Sequence, residues 1–275
     1  MDKILFDAHT HINNEGYSKA EREELIEKIE SSSLCYVMDV GFDLESSKLA
    51  IKHAETCRWC FAVIGVHPHD SASASSDVCD ELKKLASNPK VKAIGETGLD
   101  FHYDHSPRDV QRAVFRDHIR LAKDLKLPIV IHDRDSAGEC IEILKEEGMF
   151  SDERKALFPE NPATEIGDAR VMLHCFSGSA EQALEYVKLG ATISIAGPVT
   201  YKNNKKTAAV ALQIPIEHLL IETDAPYLTP EPHRGKPNDS TKVEYVARKI
   251  AELKGLSYEE VADITAENAK RFFNI

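Results

Sequence analysis

Two histidines stand two positions apart at the end of the first apolar run of the chain, residues 4–11. Successive side chains of a β-strand point to opposite faces, so His9 and His11 would share one face. On an inward face at the carboxyl end of a strand, two imidazoles are placed to hold a metal ion. An isolated His-x-His pair is also compatible with two unrelated surface histidines, so the rest of the chain must decide.

Later apolar runs end in residues of the same kind. They finish at His67 and His69, Glu96, His132, His174 and Asp224. Taken singly, His132 and His174 are compatible with core histidines, and Asp224 with a turn residue before Pro226. Together, imidazole nitrogens and carboxylate oxygens suit zinc, manganese, iron or cobalt, and also magnesium when water completes the shell. The recurrence therefore favours a metal site.

Such a site needs a fold that brings the ends of distant strands together. Strand-like runs are predicted over residues 4–11, 35–41, 60–66, 91–95, 128–131, 171–174, 191–196 and 219–221. Helical periodicity is predicted over residues 19–31, 44–57, 77–87, 107–126, 136–147, 180–189, 242–254 and 257–273. This alternation predicts an α/β fold, a (β/α)₈ TIM-like barrel forming one domain over residues 1–275 with an extra C-terminal helix.

A barrel gathers the carboxyl ends of all its strands at one rim. The predicted metal ligands at that rim are His9, His11, Glu96, His132, His174 and Asp224. Six ligands exceed what one tetrahedral ion needs, so we expect two divalent ions ~3.5–4 Å apart with a carboxylate between them. Glu96 is the predicted bridge because the fourth strand lies centrally in the strand order.

Other polar residues also fall at the rim. Two more histidines would overfill the metal shell, so we predict that His67 contacts substrate and leave His69 unassigned. Arg134, Arg234 and Lys236 are surface charges by default. Because Arg234 lies just beyond the rim strands, its guanidinium is placed to grip phosphate oxygens bidentately, with Lys236 beside it.

Residues 149–168 break the regular alternation of elements. Pro159, Asn161, Pro162 and Gly167 signal a loop longer than most connections. The segment follows a helix and precedes a strand, and such connections lie at the barrel face opposite the active site. We therefore expect a peripheral insertion and not a catalytic lid.

Composition narrows the function classes. A formal net charge of -12 argues against a general electrostatic grip on nucleic acid, so any phosphate binding must be local. Single glycines near strand ends form neither a dinucleotide fingerprint nor a phosphate-cradling loop. Because no apolar stretch approaches the ~20 residues of a bilayer span, we expect a cytoplasmic protein without a membrane partner. We also expect a monomer.

The six cysteines are scattered, as reduced thiols would be. Cys57 and Cys60 have the spacing of a redox motif, but they lie at a helix-to-strand junction without a second pair, which favours a structural role. Cys175 neighbours His174 on the predicted sixth strand and should point away from it into the core.

The motifs together resemble the TatD-type metal-dependent hydrolases, deoxyribonucleases of the amidohydrolase superfamily. The resemblance covers essentially the whole chain in the right order. It is carried by residues 6–11, 65–69, 95–100, 131–134, 174–178, 222–228 and 232–236. After Gly235 and Lys236 the chain departs from the family pattern at residues 237–240, which leaves the outer substrate contacts open.

The resemblance implies a distorted barrel, a two-metal site of magnesium, manganese or zinc, and phosphodiester hydrolysis. The commonest family activity is a 3′–5′ exonuclease on single-stranded DNA, with RNA ends as the other nucleic-acid substrate. Family roles transfer to the six ligands, and to His67 and Arg234 as substrate contacts. We expect water activated at the metal site to attack phosphate, with Glu96 bridging the ions and Asp224 accepting the proton.

Two other functions stay open. A hydrolase of an ester or amide, such as an aminoacyl ester, would use the same scaffold. Many such relatives bridge their metals with a carboxylated lysine of the fourth strand, but here Lys90 and Lys92 lie at that strand's beginning and Glu96 at its end. A non-catalytic binding module should have lost ligands, and this chain keeps all six.

Overall fold

The computed structural model describes residues 3–161 and 163–275. Its eight parallel strands are neighbours in sequence order, from the first to the eighth. The strands are β1 (Leu5–Thr10), β2 (Leu34–Val40), β3 (Cys60–Ile64), β4 (Val91–Asp100), β5 (Ile129–Arg134), β6 (Val171–Leu173), β7 (Thr192–Ile195) and β8 (Leu219–Ile221). Each pairs in parallel with the next. They form the predicted (β/α)₈ TIM barrel, which is nearly closed.

The connecting helices surround the strands. They are α1 (Lys19–Ser31), α2 (Leu44–Thr56), α3 (Val78–Leu85), α4 (Arg108–Leu125), α5 (Glu139–Glu146), α6 (Asp152–Lys155), α7 (Ala180–Lys188), α8 (Lys205–Gln213), α9 (Val243–Lys254) and α10 (Tyr258–Phe273). Capping boxes start α1 at Ser18 and α10 at Ser257, as the sequence indicates. The sequence reading missed α8, whose alanine-rich stretch lacks a sharp polar face. None of the described helices combines the length and hydrophobicity of a membrane span.

The barrel closes between its last and first strands through the chain that follows β8. The backbone N–H of Asp224 donates to the His9 carbonyl at 2.9 Å, and that of His11 donates to the Ala225 carbonyl at 2.8 Å. The buried carboxylate of Asp7 accepts from both the N–H and the hydroxyl of Thr223, at 2.9 and 2.6 Å. These bonds hold the end of β1 against the residues that follow β8.

The barrel interior is filled by apolar side chains of the strands and sealed by α10 at the amino-terminal end. Phe6 of β1 stacks on Phe273 of α10 with ring centroids 6.0 Å apart. Asn268 donates to the carbonyl of Leu219, where β8 starts, at 2.9 Å. The remaining interior is lined by Ala8, Met38, Val40, Val63, Ala93, Val130, Met172 and Leu220. Access to the barrel axis is therefore from the carboxyl rim.

Strand β4 is longer than predicted, so Glu96 lies within the strand and not at its end. The pairing of β4 with β5 is irregular between Ile94 and Thr97. Gly98 has a φ of +144°, and a Cβ there would overlap the carbonyl oxygen of His132. A glycine at this position lets β4 approach β5 closely enough to bring Glu96 beside His132.

Residues 149–168 lie at the amino-terminal face, where the sequence places them. Arg154 of α6 donates to the carbonyls of Leu127 at 2.6 Å and Ala169 at 3.1 Å, both just before a strand. Asn161 donates to the carbonyl of Glu217, ahead of β8, at 3.4 Å. The short helix α6 was not predicted, and Pro162 lies outside the described residues.

All six cysteines are free thiols, in agreement with the sequence. The placement of Cys175 in the core was wrong. Strand β6 ends at Leu173, so Cys175 sits on the rim with a φ of +43° and is partly exposed. The alternation of side chains on a strand no longer applies beyond the strand's last residue.

Candidate metal centre

The structure brings the six predicted ligands together at the carboxyl rim of the barrel. His9, Glu96 and His132 lie on β1, β4 and β5, His11 and His174 directly follow β1 and β6, and Asp224 lies in the turn after β8. The carboxylate of Glu96 is the hub of this cluster. Its Oε2 lies 3.3 Å from His9 Nε2 and 3.8 Å from His11 Nε2. Its Oε1 lies 2.7 Å from His174 Nε2 and 2.8 Å from His132 Nδ1.

The two oxygens of Glu96 therefore face two different groups of histidines. This arrangement is what a carboxylate bridging two ions requires. Nearly all of Glu96 is buried, and burial alone would raise its pKa. The histidines around it, His174 first, outweigh burial and hold the pKa well below its ordinary value. The hub is thus an anion at neutral pH.

Asp224 completes the half of the cluster formed by β1. Its Oδ1 lies 3.4 Å from His11 Nε2 and 3.9 Å from His9 Nε2. Burial alone would raise the pKa of Asp224. A hydrogen bond to His11 and the charge of His174 lower it by more than burial raises it, so the net shift is downward. The backbone has a φ of +53°, a left-handed conformation that aspartate tolerates better than most residues.

Hydrogen bonds outside the cluster fix two of the rings. Nδ1 of His11 lies 2.8 Å from the Val40 carbonyl, so it carries a proton and leaves Nε2 for the centre. Nδ1 of His174 lies 3.3 Å from the buried carboxylate of Glu222, which also accepts from the Cys175 N–H at 2.7 Å. In both rings the nitrogen that faces inward is the one able to bind an ion.

Asp100 holds a third ring in the same way. Its Oδ2 lies 3.1 Å from His132 Nε2 and 2.8 Å from His69 Nε2. The opposite nitrogen of His132, Nδ1, then faces Glu96. His69, unassigned from the sequence, is a partner of Asp100 at the edge of the cluster.

His67 differs from the other rings although it lies close to them. Its Nε2 is 3.5 Å from Glu96 Oε1 and 3.3 Å from His132 Nδ1. Its Nδ1 accepts the backbone N–H of His69 at 3.1 Å. Burial lowers the pKa of His67 to about 4, so the ring is neutral and its single proton sits on Nε2. In this tautomer Nε2 is a hydrogen-bond donor that points towards Glu96 and His132.

The site attracts positive charge. Burial lowers the pKa of His11, but the carboxylates of Asp224 and Glu96 overcome it and raise the pKa to about 9. The pKa of His174 is likewise raised well above its usual value, because Glu96 and Glu222 outweigh burial. Protons held this strongly mark places that a divalent cation would take, releasing the protons.

The donor set fits divalent ions. Three groups each offer ligand atoms within 4.8 Å of one another: His9, His174 and Asp224; His9, His11 and Glu96; and His67, Glu96 and His132. By distance, His67 belongs to the third of these groups beside the six predicted ligands, and all of these side chains offer imidazole nitrogens or carboxylate oxygens. Mixed nitrogen and oxygen sites of this kind suit zinc or manganese, and magnesium with added water.

The two predicted phosphate contacts lie on the loop after β8, apart from the buried cluster. Arg234 and Lys236 are both exposed. The guanidinium of Arg234 lies 4.3 Å from the ring centroid of Tyr201, which follows β7. Stacking on an aromatic face restricts an otherwise mobile side chain. The structure thus places Arg234 at the rim without bringing it into the cluster.

Residues 237–240, where the chain departs from the family pattern, are structural. The amide of Asn238 donates to the carbonyl of Thr223 at 3.0 Å and to that of Tyr227. Asp239 pairs with Lys28 at 2.6 Å and with Lys242. These contacts anchor the loop that carries Arg234.

Sequence reasoning missed Glu222 as a functional residue. It lies two residues before Asp224, directly after β8, and is fully buried. A carboxylate so close to a strand end was a signal, but its partner His174 is 48 residues away. Only the packing of β6 near β8 reveals that pair.

Comparisons with known proteins agree with this geometry. The chain matches the family described as "TatD related DNase" over residues 6–274. It is 44% identical over 272 residues to the uncharacterized metal-dependent hydrolase YabD of Bacillus subtilis strain 168, covering 99% of this chain and 100% of that protein. It is 31% identical over 278 residues to a Rahnella sp. protein named 3′-5′ ssDNA/RNA exonuclease TatD, covering 98% of each.

Among solved structures, that of YJJV, a TatD homolog from Escherichia coli K12, aligns with a TM-score of 0.86 at 26% identity and covers 100% of both chains. A barrel whose rim gathers histidines around a shared carboxylate is the architecture of a metal-dependent hydrolase. The chain belongs to the TatD-related DNase family, and it is a metal-dependent hydrolase of that family. The resemblance drawn from its motifs is confirmed.

Proposed function

We propose that the protein is an exonuclease that removes nucleotides from the 3′ end of single-stranded DNA or RNA. The observation that carries this proposal is the two-sided carboxylate of Glu96, which suits a pair of ions clamping one phosphate. The name of the Rahnella relative supports the substrate and the direction.

The ligands proposed are His9, His11, Glu96, His132, His174 and Asp224. Two divalent ions bound there would supply Lewis acidity, lowering the pKa of water and polarising a phosphate. Asp224 is the proposed proton acceptor, since its carboxylate is ionised and its side chain is the more exposed of the two acids, 14% against 4%. Glu222 and Asp100 keep His174 and His132 turned towards the centre.

His67 has a separate role in this proposal. Its Nε2 proton points towards the centre, where its neighbours are His132 Nδ1 at 3.3 Å and Glu96 Oε1 at 3.5 Å. Ions bound by His132 and Glu96 would occupy these two acceptors and leave the proton for a phosphate oxygen of the substrate. Because the ring is neutral at pH 7, it donates a hydrogen bond without adding a charge. This supports the substrate contact predicted from the sequence.

The rim also offers surfaces for bases. Tyr103, after β4, is 50% exposed and has the Arg134 guanidinium 4.7 Å from its ring centroid. Tyr227, after β8, is 55% exposed and its ring lies 6.3 Å from that of His11. Exposed aromatic rings beside arginines are typical platforms for unpaired bases, at ~1–3 kcal/mol per base.

A net charge of -12 supports an end-acting enzyme over one that lies along a duplex. A strand end entering the rim needs only a few phosphate contacts. A cytoplasmic location and a monomeric state stay predictions of the sequence.

Single-stranded oligonucleotides labelled at either end test the proposal. With the label at the 5′ end, purified protein and added Mn²⁺ or Mg²⁺ should yield a ladder of shortened products. With the label at the 3′ end, the first product should be a labelled mononucleotide. Chelator should stop both reactions, and re-added metal should restore them.

Two outcomes would overturn this assignment. Mononucleotide release from the 5′ end would reverse the direction. Metal-dependent cleavage of a p-nitrophenyl or aminoacyl ester, with intact oligonucleotide, would move the enzyme to the ester-hydrolase alternative.

A further inference from the structure

A cavity of about 220 Å³ opens at the amino-terminal face of the barrel, at the end opposite the metal centre. Three cations line it: Lys92 at the start of β4, Lys126 before β5, and Arg170 before β6. Phe158 and Phe273 contribute to its apolar wall. The cavity is several times the ~30 Å³ that one water molecule occupies, so it has room for a hydrated anion.

No carboxylate lines this cavity in the part of the chain that the structure describes. Neither Lys92 nor Lys126 forms an ion pair with a described acidic residue. The ammonium of Lys92 has only the Asn274 carbonyl at the limit of hydrogen-bond distance, 3.5 Å, and a contact with the face of Phe61. Arg170 has one carboxylate nearby, that of Asp168, which also faces Arg271, so the three cations that line the cavity outnumber the described acidic groups close to them.

Arg170 is the buried part of this group. Only 1% of it is exposed, and within the described residues its Nε and Nη1 make no hydrogen bond. The Asp168 carboxylate lies 3.2 Å from Nε without hydrogen-bond geometry, and it also faces Arg271 at 3.8 Å. A buried guanidinium whose N–H groups lack acceptors lowers the stability of the folded chain unless a bound partner accepts those hydrogen bonds.

The neighbouring Arg154 shows what a purely structural arginine looks like here. It is similarly buried, at 3% exposed, and its Nη1 also has no partner among the described residues, but its Nη2 and Nε donate to the carbonyls of Leu127 and Ala169. It does not line the cavity. Arg170 does, and its donors are not used in this way.

We propose that this cavity is an anion site for a phosphate group, held by Arg170, Lys92 and Lys126. The phosphate would be inorganic phosphate or the terminal group of a phosphomonoester. Guanidinium and ammonium groups suit its charge, and the fork of Arg170 matches two of its oxygens. The site is separate from the metal centre and does not depend on the function proposed for it.

The test is calorimetric titration of inorganic phosphate into the full chain, with metal bound and after chelator treatment. Chelation removes phosphate binding that depends on the metal ions, and the difference between wild type and a cavity variant after chelation then reports the cavity. The test variant is Lys92→Gln with Lys126→Asn. Asparagine suits the left-handed backbone at residue 126, where φ is +55°.

The control is Lys48→Gln with Lys83→Gln, which removes the same charge from the exposed faces of α2 and α3. Metal-independent binding should weaken at least about tenfold in the cavity variant and stay unchanged in the control. Both variants should keep their melting temperature and their metal-dependent hydrolysis of bis-p-nitrophenyl phosphate.

A parallel titration with thymidine 5′-monophosphate identifies the source of the phosphate. Tighter binding than inorganic phosphate, lost in the cavity variant, assigns the site to phosphomonoesters. Weaker binding assigns it to the free anion. If chelated wild-type protein binds neither compound, or if the cavity variant binds both as well as the control does, the proposal is wrong.

Discussion

The two ends of the barrel carry opposite chemistry on the same strands. At the carboxyl rim, buried histidines surround the anionic Glu96, and their outer nitrogens are held by Asp100, Glu222 and a backbone carbonyl. At the amino-terminal end, arginines brace the connections, and α10 seals the core with Phe273. The rim is built to hold cations, whereas the opposite end presents cations of its own.

The comparison shows that the carboxyl ends of the strands carry the residues of the metal centre, whereas the amino-terminal ends carry contacts that stabilise the fold. At the rim, the six ligands come from five separate parts of the sequence, and only the barrel unites them. At the other end, contacts such as that of Asn268 with the start of β8 hold helices to strands. Changes at the rim should therefore alter rate and metal content, and changes at the other end should alter stability.

The strongest test of this contrast is Glu96→Ala. Because one carboxylate faces both groups of histidines, its loss should lower turnover by on the order of 10³-fold or more and reduce metal content. Activity on single-stranded DNA and elemental analysis measure the two effects together. Glu217→Ala, at the amino-terminal face, is the matched control. Unchanged occupancy with an unchanged rate would refute the bridge.

A buried histidine outside the metal centre, His118, makes the stability of the fold depend on pH. His118 of α4 accepts the Val66 N–H at 3.1 Å, and burial lowers its pKa from 6.5 to about 4. Below pH 6.5 the unfolded chain binds a proton that the folded chain refuses until about pH 4. This residue therefore removes stability as pH falls through that interval, by up to about 3 kcal/mol.

His118→Gln keeps an acceptor without a titrating group. Its free energy of unfolding, measured with urea at pH 7 and pH 4.5, should fall less between the two than that of wild type. His102→Gln, at the exposed rim, is the control for removing an imidazole. Equal losses in wild type and His118→Gln would show that the proton does not enter through this ring.

Glu222→Gln tests the outer partners of the ligands. The amide can no longer accept as strongly from His174 and the Cys175 N–H, so metal affinity should fall about 10- to 100-fold. Turnover should recover at high metal concentration, which separates a positioning role from a chemical one. A loss of turnover that saturating metal does not repair would argue that Glu222 takes part in the reaction.

This residue also shows where sequence reasoning stops. The strands, most helices and the six rim residues can be predicted from the sequence, because each apolar run and the polar residue that ends it are close neighbours in the chain. The sequence also suggests Asp100 as an acceptor that orients the histidines, and its contacts with His132 and His69 agree with this. Glu222 and the proton on His67 depend on which side chains meet across strands. The irregular course of β4 and the early end of β6 had the same cause, since cross-strand packing overrides the local alternation.

Shortening residues 159–166 should affect stability more than rate. The segment reaches the amino-terminal face, where Asn161 contacts the Glu217 carbonyl. Loss of this contact should cost about 1 kcal/mol, while turnover stays within about twofold. Thermal unfolding and steady-state rates of the shortened chain test this. A variant that is folded by circular dichroism but has lost most of its rate would mean that the segment reaches the active site.

The smallest expected effect concerns Arg234. Few phosphate contacts should give a shallow dependence of substrate affinity on salt, since each contact on a single strand contributes a slope near ~0.7. Arg234→Ala should raise KM several-fold, flatten the slope by roughly one contact and leave metal content alone. Arg58→Ala removes an equally exposed guanidinium from the amino-terminal end and should change neither quantity.

The measurement is the apparent affinity for a short single-stranded oligonucleotide across a salt series. The stacking of Arg234 on Tyr201 holds the guanidinium beside the rim before substrate arrives, so its loss should appear in KM and not in kcat. A steep slope that Arg234→Ala does not alter would place the phosphate contacts on another basic track, with the exposed Lys202, Lys205 and Lys206 after β7 as the first residues to test. In that case the rim would bind nucleic acid through a row of surface lysines. The contrast between the two ends of the barrel would then depend on the metal centre alone.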